Sequence, residues 1–328
     1  MRRILVPLDG SPEAEGALAP AAAAAARTGA ALTLVTVHEP AAAHLGLDDL
    51  SAAFVAIDQE VRDDERAYLA SKVRQARMVH QNRLRAVLLE GRPGDKLIEF
   101  ANEEEFDLIA MTTHGRSALS RLWLGSTAEE VVKRADPPVL LLRPGAAAGR
   151  SDLLFDRVLV PLDGSQRAES ALASVAEYLS PSGILHLFTV VKPPVLFAPP
   201  ARPGAPSDAK VSRRQKVIAY RYLRRIARRM RGCGRAVALH VAEAFVVSRE
   251  IVRYANAERI ELIVIATHAR GGPARWALGS VADKIVRAGS CPVLVCRSRA
   301  ADDKASEEYR AAITDRAPVA CAVAGGMP

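Results

Sequence analysis

The chain has 328 residues, 49% of them hydrophobic and 25% charged, with a formal net charge of +8. That balance excludes a disordered chain, and the length fits two domains of roughly 150 residues each. No apolar run approaches the roughly 20 residues of a spanning helix, and Met1 to Pro7 leads straight into a strand-like segment rather than a signal peptide, so a cytoplasmic protein is expected. Cys233, Cys291, Cys296 and Cys321 form no CxxC pair and read as reduced thiols.

In chain order, the first half alternates short apolar runs with helical patterns. Strands are expected at Ile4–Val6, Leu32–Val37, Arg85–Leu89, Leu108–Met111 and Val139–Leu142. Helices are expected at Pro12–Arg27, Asp58–Gln81, Lys96–Glu104 and Thr127–Arg134, and Pro40 to Ile57 reads as a mixed, partly helical segment. Near-continuous apolar strands between helices predict a parallel sheet covered on both faces, doubly wound with right-handed crossovers.

The pattern then repeats. Arg3-Ile4-Leu5-Val6-Pro7-Leu8-Asp9-Gly10-Ser11 returns, with Val158 for Ile4, as Arg157 to Ser165, an offset of 154 residues. Thr113-His114, Leu124-Gly125-Ser126 and Pro138-Val139-Leu140 return at the same offset as Thr267-His268, Leu278-Gly279-Ser280 and Pro292-Val293-Leu294. Two copies of one domain therefore account for the length, at 1–146 and 154–299, joined by the Gly- and Ala-rich stretch 144–150. The second copy differs at Lys192 to Pro206, where six prolines in fifteen residues predict an extended mobile loop. The tail 300–328 has no counterpart and reads as disordered apart from a short helix.

In open α/β sheets the ligand site lies beyond the carboxyl ends of the strands where strand order reverses. Asp9-Gly10-Ser11 and Thr112-Thr113-His114-Gly115-Arg116 fall there. Ser11 reads as a helix N-cap with Pro12 at N1. Asp9 precedes that cap and its carboxylate recurs at Asp163, which favours a functional role. Gly125-Ser126-Thr127-Ala128-Glu129 opens the next helix. Its Ser-x-x-Glu spacing predicts a capping box, and the same helix start offers N–H groups and hydroxyls to a phosphate. The seven histidines have no i,i+4 pair and no cysteine at ligand spacing, so no metal site is expected. His114 and His268 read as loop-orienting residues. There is no Gly-x4-Gly-Lys-Ser/Thr loop, and Gly232-Cys233-Gly234 is no dinucleotide fingerprint.

Taken in order, Pro7-Leu8-Asp9-Gly10-Ser11, Met111 to Arg116, Gly125-Ser126 and the closing Pro137 to Arg143 resemble the universal stress protein family, in both copies. The resemblance implies two Rossmann-like five-stranded parallel domains packed as an internal pseudo-dimer. It implies an ATP-binding stress-response regulator rather than a dedicated catalyst, with Mg accompanying the nucleotide as an open question. Family members that bind ATP carry Gly-x2-Gly-x9-Gly-Ser/Thr, and here the first copy has Thr112-x2-Gly115-x9-Gly125-Ser126. By resemblance Asp9 and Val37 would contact adenine, while Thr112, Gly115, Arg116, Gly125, Ser126 and Thr127 would surround the phosphates. The second copy, Ala266-x2-Ala269-x9-Gly279-Ser280, keeps Asp163, Val190, Gly279 and Ser280 as a weaker site. The alternatives are slow ATP hydrolysis at the same site, or a nucleotide-free dimerisation scaffold. A homodimer through the last strands, Leu140–Arg143 and Leu294–Arg297, also stays open.

Charge is divided unequally. Residues 1–150 carry 18 basic and 21 acidic side chains, while residues 151–328 carry 27 and 16. Arg213 to Arg235 alone holds ten Lys/Arg and no acid, with Val217, Leu223, Ile226 and Met230 as its apolar positions. The favoured reading is a solvated face paired with the acidic first copy, whose matching helix carries Asp63-Asp64-Glu65. Nucleic acid is the less favoured partner, because few aromatics interleave the charges.

Overall fold

The computed structural model describes residues 2–40, 52–78, 83–113, 124–143, 152–194, 208–232, 234–268 and 278–298. The first copy contributes β1 (Arg3–Pro7), α1 (Pro12–Glu15), α2 (Leu18–Thr28), β2 (Ala31–His38), α3 (Ala52–Arg77), β3 (Leu84–Glu90), α4 (Pro93–Glu103), β4 (Leu108–Thr112), α5 (Ser126–Arg134) and β5 (Val139–Leu142). The second repeats it with β6 (Phe155–Pro161), α6 (Gln166–Ser170), α7 (Leu172–Tyr178), β7 (Leu179–Val191), α8 (Asp208–Gly232), β8 (Ala236–Glu243), α9 (Val247–Ala257), β9 (Leu262–His268), α10 (Ser280–Ala288) and β10 (Val293–Ser298).

The expected first helix is broken in two. Gly16 ends α1, its N–H turning back to Glu13 and Ala14, and α2 restarts at Leu18 with Pro20 in its first turn, where no N–H is missed. The expected Pro-rich loop lies outside the described residues except for its first three, as do most of 40–57 before Ala52 and the whole tail.

The strands form one sheet of ten, in the order β3-β2-β1-β4-β5-β10-β9-β6-β7-β8. Neighbours within each copy run parallel, whereas β5 and β10 pair antiparallel with Leu140 opposite Leu294. The sheet is thus mixed and continuous, not two separate parallel sheets. This junction uses the last strands within the chain itself: β5 lies between β4 and β10, and β10 between β5 and β9. Neither is left as a sheet edge in this chain.

The apolar core on each face runs across the junction without a break. One layer joins Ile4, Leu32 and Leu140 to Leu294, Val158 and Leu223. The other joins Leu5, Ile109 and Leu141 to Val293, Ile263 and Ile285. Polar contacts tie the copies at the margins: Arg27 pairs with Asp152 at 2.7 Å, Glu129 of α5 with Arg287 of α10 at 3.0 Å, and the buried Arg143 guanidinium donates to the Val286 carbonyl.

Candidate functional site

Strand order reverses between β1 and β4 in the first copy, and a cavity of about 260 Å³ opens there at the carboxyl ends of β1, β2 and β4. Its apolar walls come from Val35, Val37, Leu97 and Met111. Its polar rim comes from Asp9, Thr112, Thr113, Ser126 and Thr127. Of the residues expected at the first site, Asp9, Val37, Thr112, Gly125, Ser126 and Thr127 all line this one cavity. Gly115 and Arg116 lie outside the described residues, as does His114. Val35, Leu8, Ala14, Pro93, Leu97 and Met111 are lining residues that motif reading missed, because each reads as ordinary core or turn.

The β1–α1 turn is built from its own side chains. Asp9 Oδ1 accepts from the Ser11 amide at 3.0 Å and the Ser11 hydroxyl at 2.6 Å, and Ser11 Oγ in turn accepts from the Ala14 amide. Gly10 takes a φ of 82°, a left-handed conformation that a side chain would strain. The second copy repeats this bond for bond. Asp163 Oδ1 accepts from the Ser165 amide at 3.0 Å and its hydroxyl at 2.6 Å, with Gly164 at φ 84°. The recurrence of the carboxylate thus has an account in turn chemistry, where the sequence reading favoured a functional role. Above the turn, the Tyr68 phenol donates to Glu15, and burial together with that carboxylate pushes its pKa well up.

The other end of the cavity is the start of α5. Gly125 is its N-cap, anchored by its N–H on the Thr113 carbonyl at 2.9 Å, and no side chain caps the helix. This corrects the capping-box reading. The helix begins one residue earlier than a Ser126 cap requires, and Glu129 is drawn instead to Lys133 and Arg287, which lower its pKa. The first-turn amides of α5 and the hydroxyls of Ser126 and Thr127 thus border the cavity with the positive end of the helix dipole.

One cluster beside the cavity gave no motif signal. His38, immediately after Val37, is buried with Nδ1 2.9 Å from Glu65 and Nε2 3.1 Å from Asp58. Arg62 bridges Asp58 to Glu90, so the cluster clamps the end of β2 to α3 and β3. Among the described residues, no group of three His, Cys, Asp or Glu is arranged to hold a metal ion. No described helix is long and apolar enough to cross a membrane.

The second copy has the same turn but a different lining. β2 and β7 align with Val35 at Phe188, since Leu8 and Leu162 each donate to the carbonyl of that residue. Phe188 is buried, stacked on His240 at 5.3 Å and tilted against Tyr254 at 4.6 Å, and His186 contacts the Tyr254 hydroxyl at 3.0 Å. Burial lowers the pKa of His186 and His240, which suits this aromatic packing. At the rim, where Ala244 takes the place of Gly91 and one extra residue precedes the next helix, Phe245 and Val246 stand 68% and 50% exposed, and Val281 replaces Thr127. Gly91 sits at φ 126°, a conformation its counterpart Ala244 does not share. Asp163 and Val190 keep the equivalent strand-end positions, and Gly279 caps α10 before Ser280 with open space around its Cα.

The basic segment forms α8 and packs on β7 and β8, at the far end of the sheet from α3, which covers β2 and β3. Pairing with the acidic helix of the first copy is thus ruled out by strand order. Arg225 and Arg229 reach Glu169, and Lys216 reaches Glu243, all within the second copy. Gln215, Ala219, Tyr222, Leu223, Ile226 and Ala227 form the buried stripe, whereas Val217 is exposed rather than core.

The family model described as the universal stress protein family matches residues 1–143 and 154–297. A universal stress protein of Thermus aquaticus is 38% identical over 144 residues, covering 43% of this chain and 98% of that protein. The Mycobacterium bovis universal stress protein Mb2028c is 27% identical over 224 residues, covering 65% of this chain and 69% of that protein. Among solved structures, a universal stress protein from Archaeoglobus fulgidus superposes with a TM-score of 0.63 at 21% identity, covering 90% of this chain and 98% of that one. This likeness agrees with an α/β fold repeated twice around a mixed sheet.

Proposed function

The chain belongs to the universal stress protein family, through two tandem family domains within residues 1–297, and from that membership we propose that it binds an adenine nucleotide, ATP in the first instance, in its first copy and acts as a regulator rather than a catalyst. The observation that carries the reading is the pairing of an apolar slot with an uncapped helix start in one cavity. Val35, Val37 and Met111 offer flat apolar walls to a base, and the α5 amides with Ser126 and Thr127 offer donors to phosphate oxygens.

The residues fit a nucleotide in kind. Asp9 is the one carboxylate among the described lining residues, and its Oδ1 is already engaged in the turn. By the family resemblance, Asp9 is the residue that would face the adenine amino group. A Mg ion would then be held chiefly by phosphate oxygens and water, as that ion prefers.

Calorimetric titration of the full chain with ATP is expected to show one site per chain. Ser126→Asp and Gly115→Asp are each expected to abolish the heat, by placing a carboxylate where phosphate oxygens would lie, with melting temperature nearly unchanged. Absence of binding at millimolar ATP, or binding unaffected by both substitutions, would remove this reading.

A further inference from the structure

We propose that the outer ridge of α8 binds duplex DNA through its phosphate backbone, without reading sequence. On a helix, positions three and four apart share one stripe, and Arg213, Arg214, Arg221, Arg224 and Arg228 lie together on the stripe opposite Leu223 and Ile226. All five are exposed, and among the described residues none of them is in an ion pair. The stripe from Arg213 to Arg228 is about 22 Å long at 1.5 Å per residue. Duplex DNA carries one phosphate per about 1.7 Å of axis with both strands counted, so about 22 Å of it offers more phosphates than the five arginines can neutralise.

The acidic helix of the first copy differs in having most of its cations matched to acids, Arg74 and Arg77 near its end aside. On α3, Arg62 pairs with Asp58 and Glu90, Arg66 with Asp63, and Lys72 with Glu15. Five neighbouring guanidinium groups without acids repel one another, and a polyanion relieves that repulsion. Strand order holds α8 at the far end of the sheet from the acidic copy, and the acids of its own copy that reach it, Glu169 and Glu243, pair with Arg225, Arg229 and Lys216 rather than with these five.

The chemistry of the ridge selects among polyanions. An interfacial membrane helix inserts an apolar face, but that face of α8 is spent on its own sheet: Leu223 and Ile226 are fully buried, leaving only Val217 and Tyr220 outward. A protein partner would need an aromatic or aliphatic anchor seated in a pocket, and the ridge presents a line of charge instead. Single strands are held by stacking, and Tyr222 is buried, so Tyr220 is the one exposed aromatic along the stripe. B-form DNA, whose major groove admits a helix and whose backbone is a regular line of charge, fits best.

The test is fluorescence anisotropy of a labelled 30-base-pair DNA duplex with the full chain. About five neutralised phosphates predict affinity falling about 500-fold between 50 and 200 mM NaCl. Two duplexes of unrelated sequence are expected to bind within about twofold of each other, as a backbone-only contact requires. Replacing the five arginines together with Gln is expected to weaken binding at 50 mM salt at least about 100-fold, while R221Q/R224Q lowers the log–log salt slope by about 2. Circular dichroism and melting serve as fold controls, since all five side chains are exposed. No binding at 50 mM salt, undiminished binding by the five-fold variant, or binding to phosphatidylserine vesicles with the duplex ignored would each overturn the proposal.

Discussion

The two copies share one turn and differ in one cavity. Asp9 and Asp163 hold Ser11 and Ser165 with the same two bonds at the same lengths, and Gly10 and Gly164 take nearly the same φ. Yet Val35 lines a cavity, and Phe188 at its place is packed among His240 and Tyr254. A recurring polar motif can thus report how a chain folds, while function depends on the apolar residues around it.

The largest expected effect comes from exchanging those apolar residues. Phe188→Val removes a buried ring from the second copy and is expected to destabilise the protein by about 2–4 kcal/mol in chemical denaturation. The reciprocal Val35→Phe overpacks the first copy, costs about 1–3 kcal/mol, and is expected to abolish ATP binding in calorimetry. If Val35→Phe left ATP binding intact, the comparison would fail.

Next come the turn carboxylates. Asp9→Ala and Asp163→Ala each remove an acceptor of two hydrogen bonds, and each is expected to cost about 1–3 kcal/mol. The sharper readout is nucleotide affinity, which only Asp9→Ala is expected to lower. Equal affinity losses in the two variants would argue for two working sites.

The junction offers a smaller, pH-dependent effect. Lys133 and then Arg287 hold the Glu129 pKa below its ordinary 4.5, so its folded form is the better acid. The stability it contributes is present above that ordinary value and is lost as pH falls through the lowered one. Glu129 is 30% exposed, so the gain is at most about 1 kcal/mol. Glu129→Gln is expected to flatten the acid limb of stability below pH about 4.5, measured by urea melts from pH 6 to 3. The smallest effect concerns the rim: Val281→Thr is expected to change stability by no more than about 0.5 kcal/mol, while Thr127→Val weakens ATP binding at unchanged stability.

Much of this was legible in the residues themselves. The five strands of the first copy fall where their apolar runs predict, because buried parallel strands have few other patterns available. The 154-residue offset also marks the paired turns. Phe188 escaped because Val35 belongs to no motif: the 153-residue spacing that joins them also joins Val37 to Val190, but a lone apolar residue inside a strand reads as core. The capping box failed because Ser-x-x-Glu does not say whether the helix starts at the serine or before it, and Glu129 had a partner 158 residues away. His38 could not be foreseen either, as its two partners lie 20 and 27 residues on, beyond any short motif. The fate of α8 depended on strand order, which places two sequence-equivalent helices at opposite edges.

The antiparallel seam between β5 and β10 joins two halves of a single polypeptide. In an assembly of two identical chains, every substitution appears twice, and the halves meet only as often as concentration permits. Here each half can change alone and its neighbour is always present, at an effective concentration set by a short tether. One half could therefore acquire a row of arginines and a buried Phe188 while the other kept Val35 beside an open cavity.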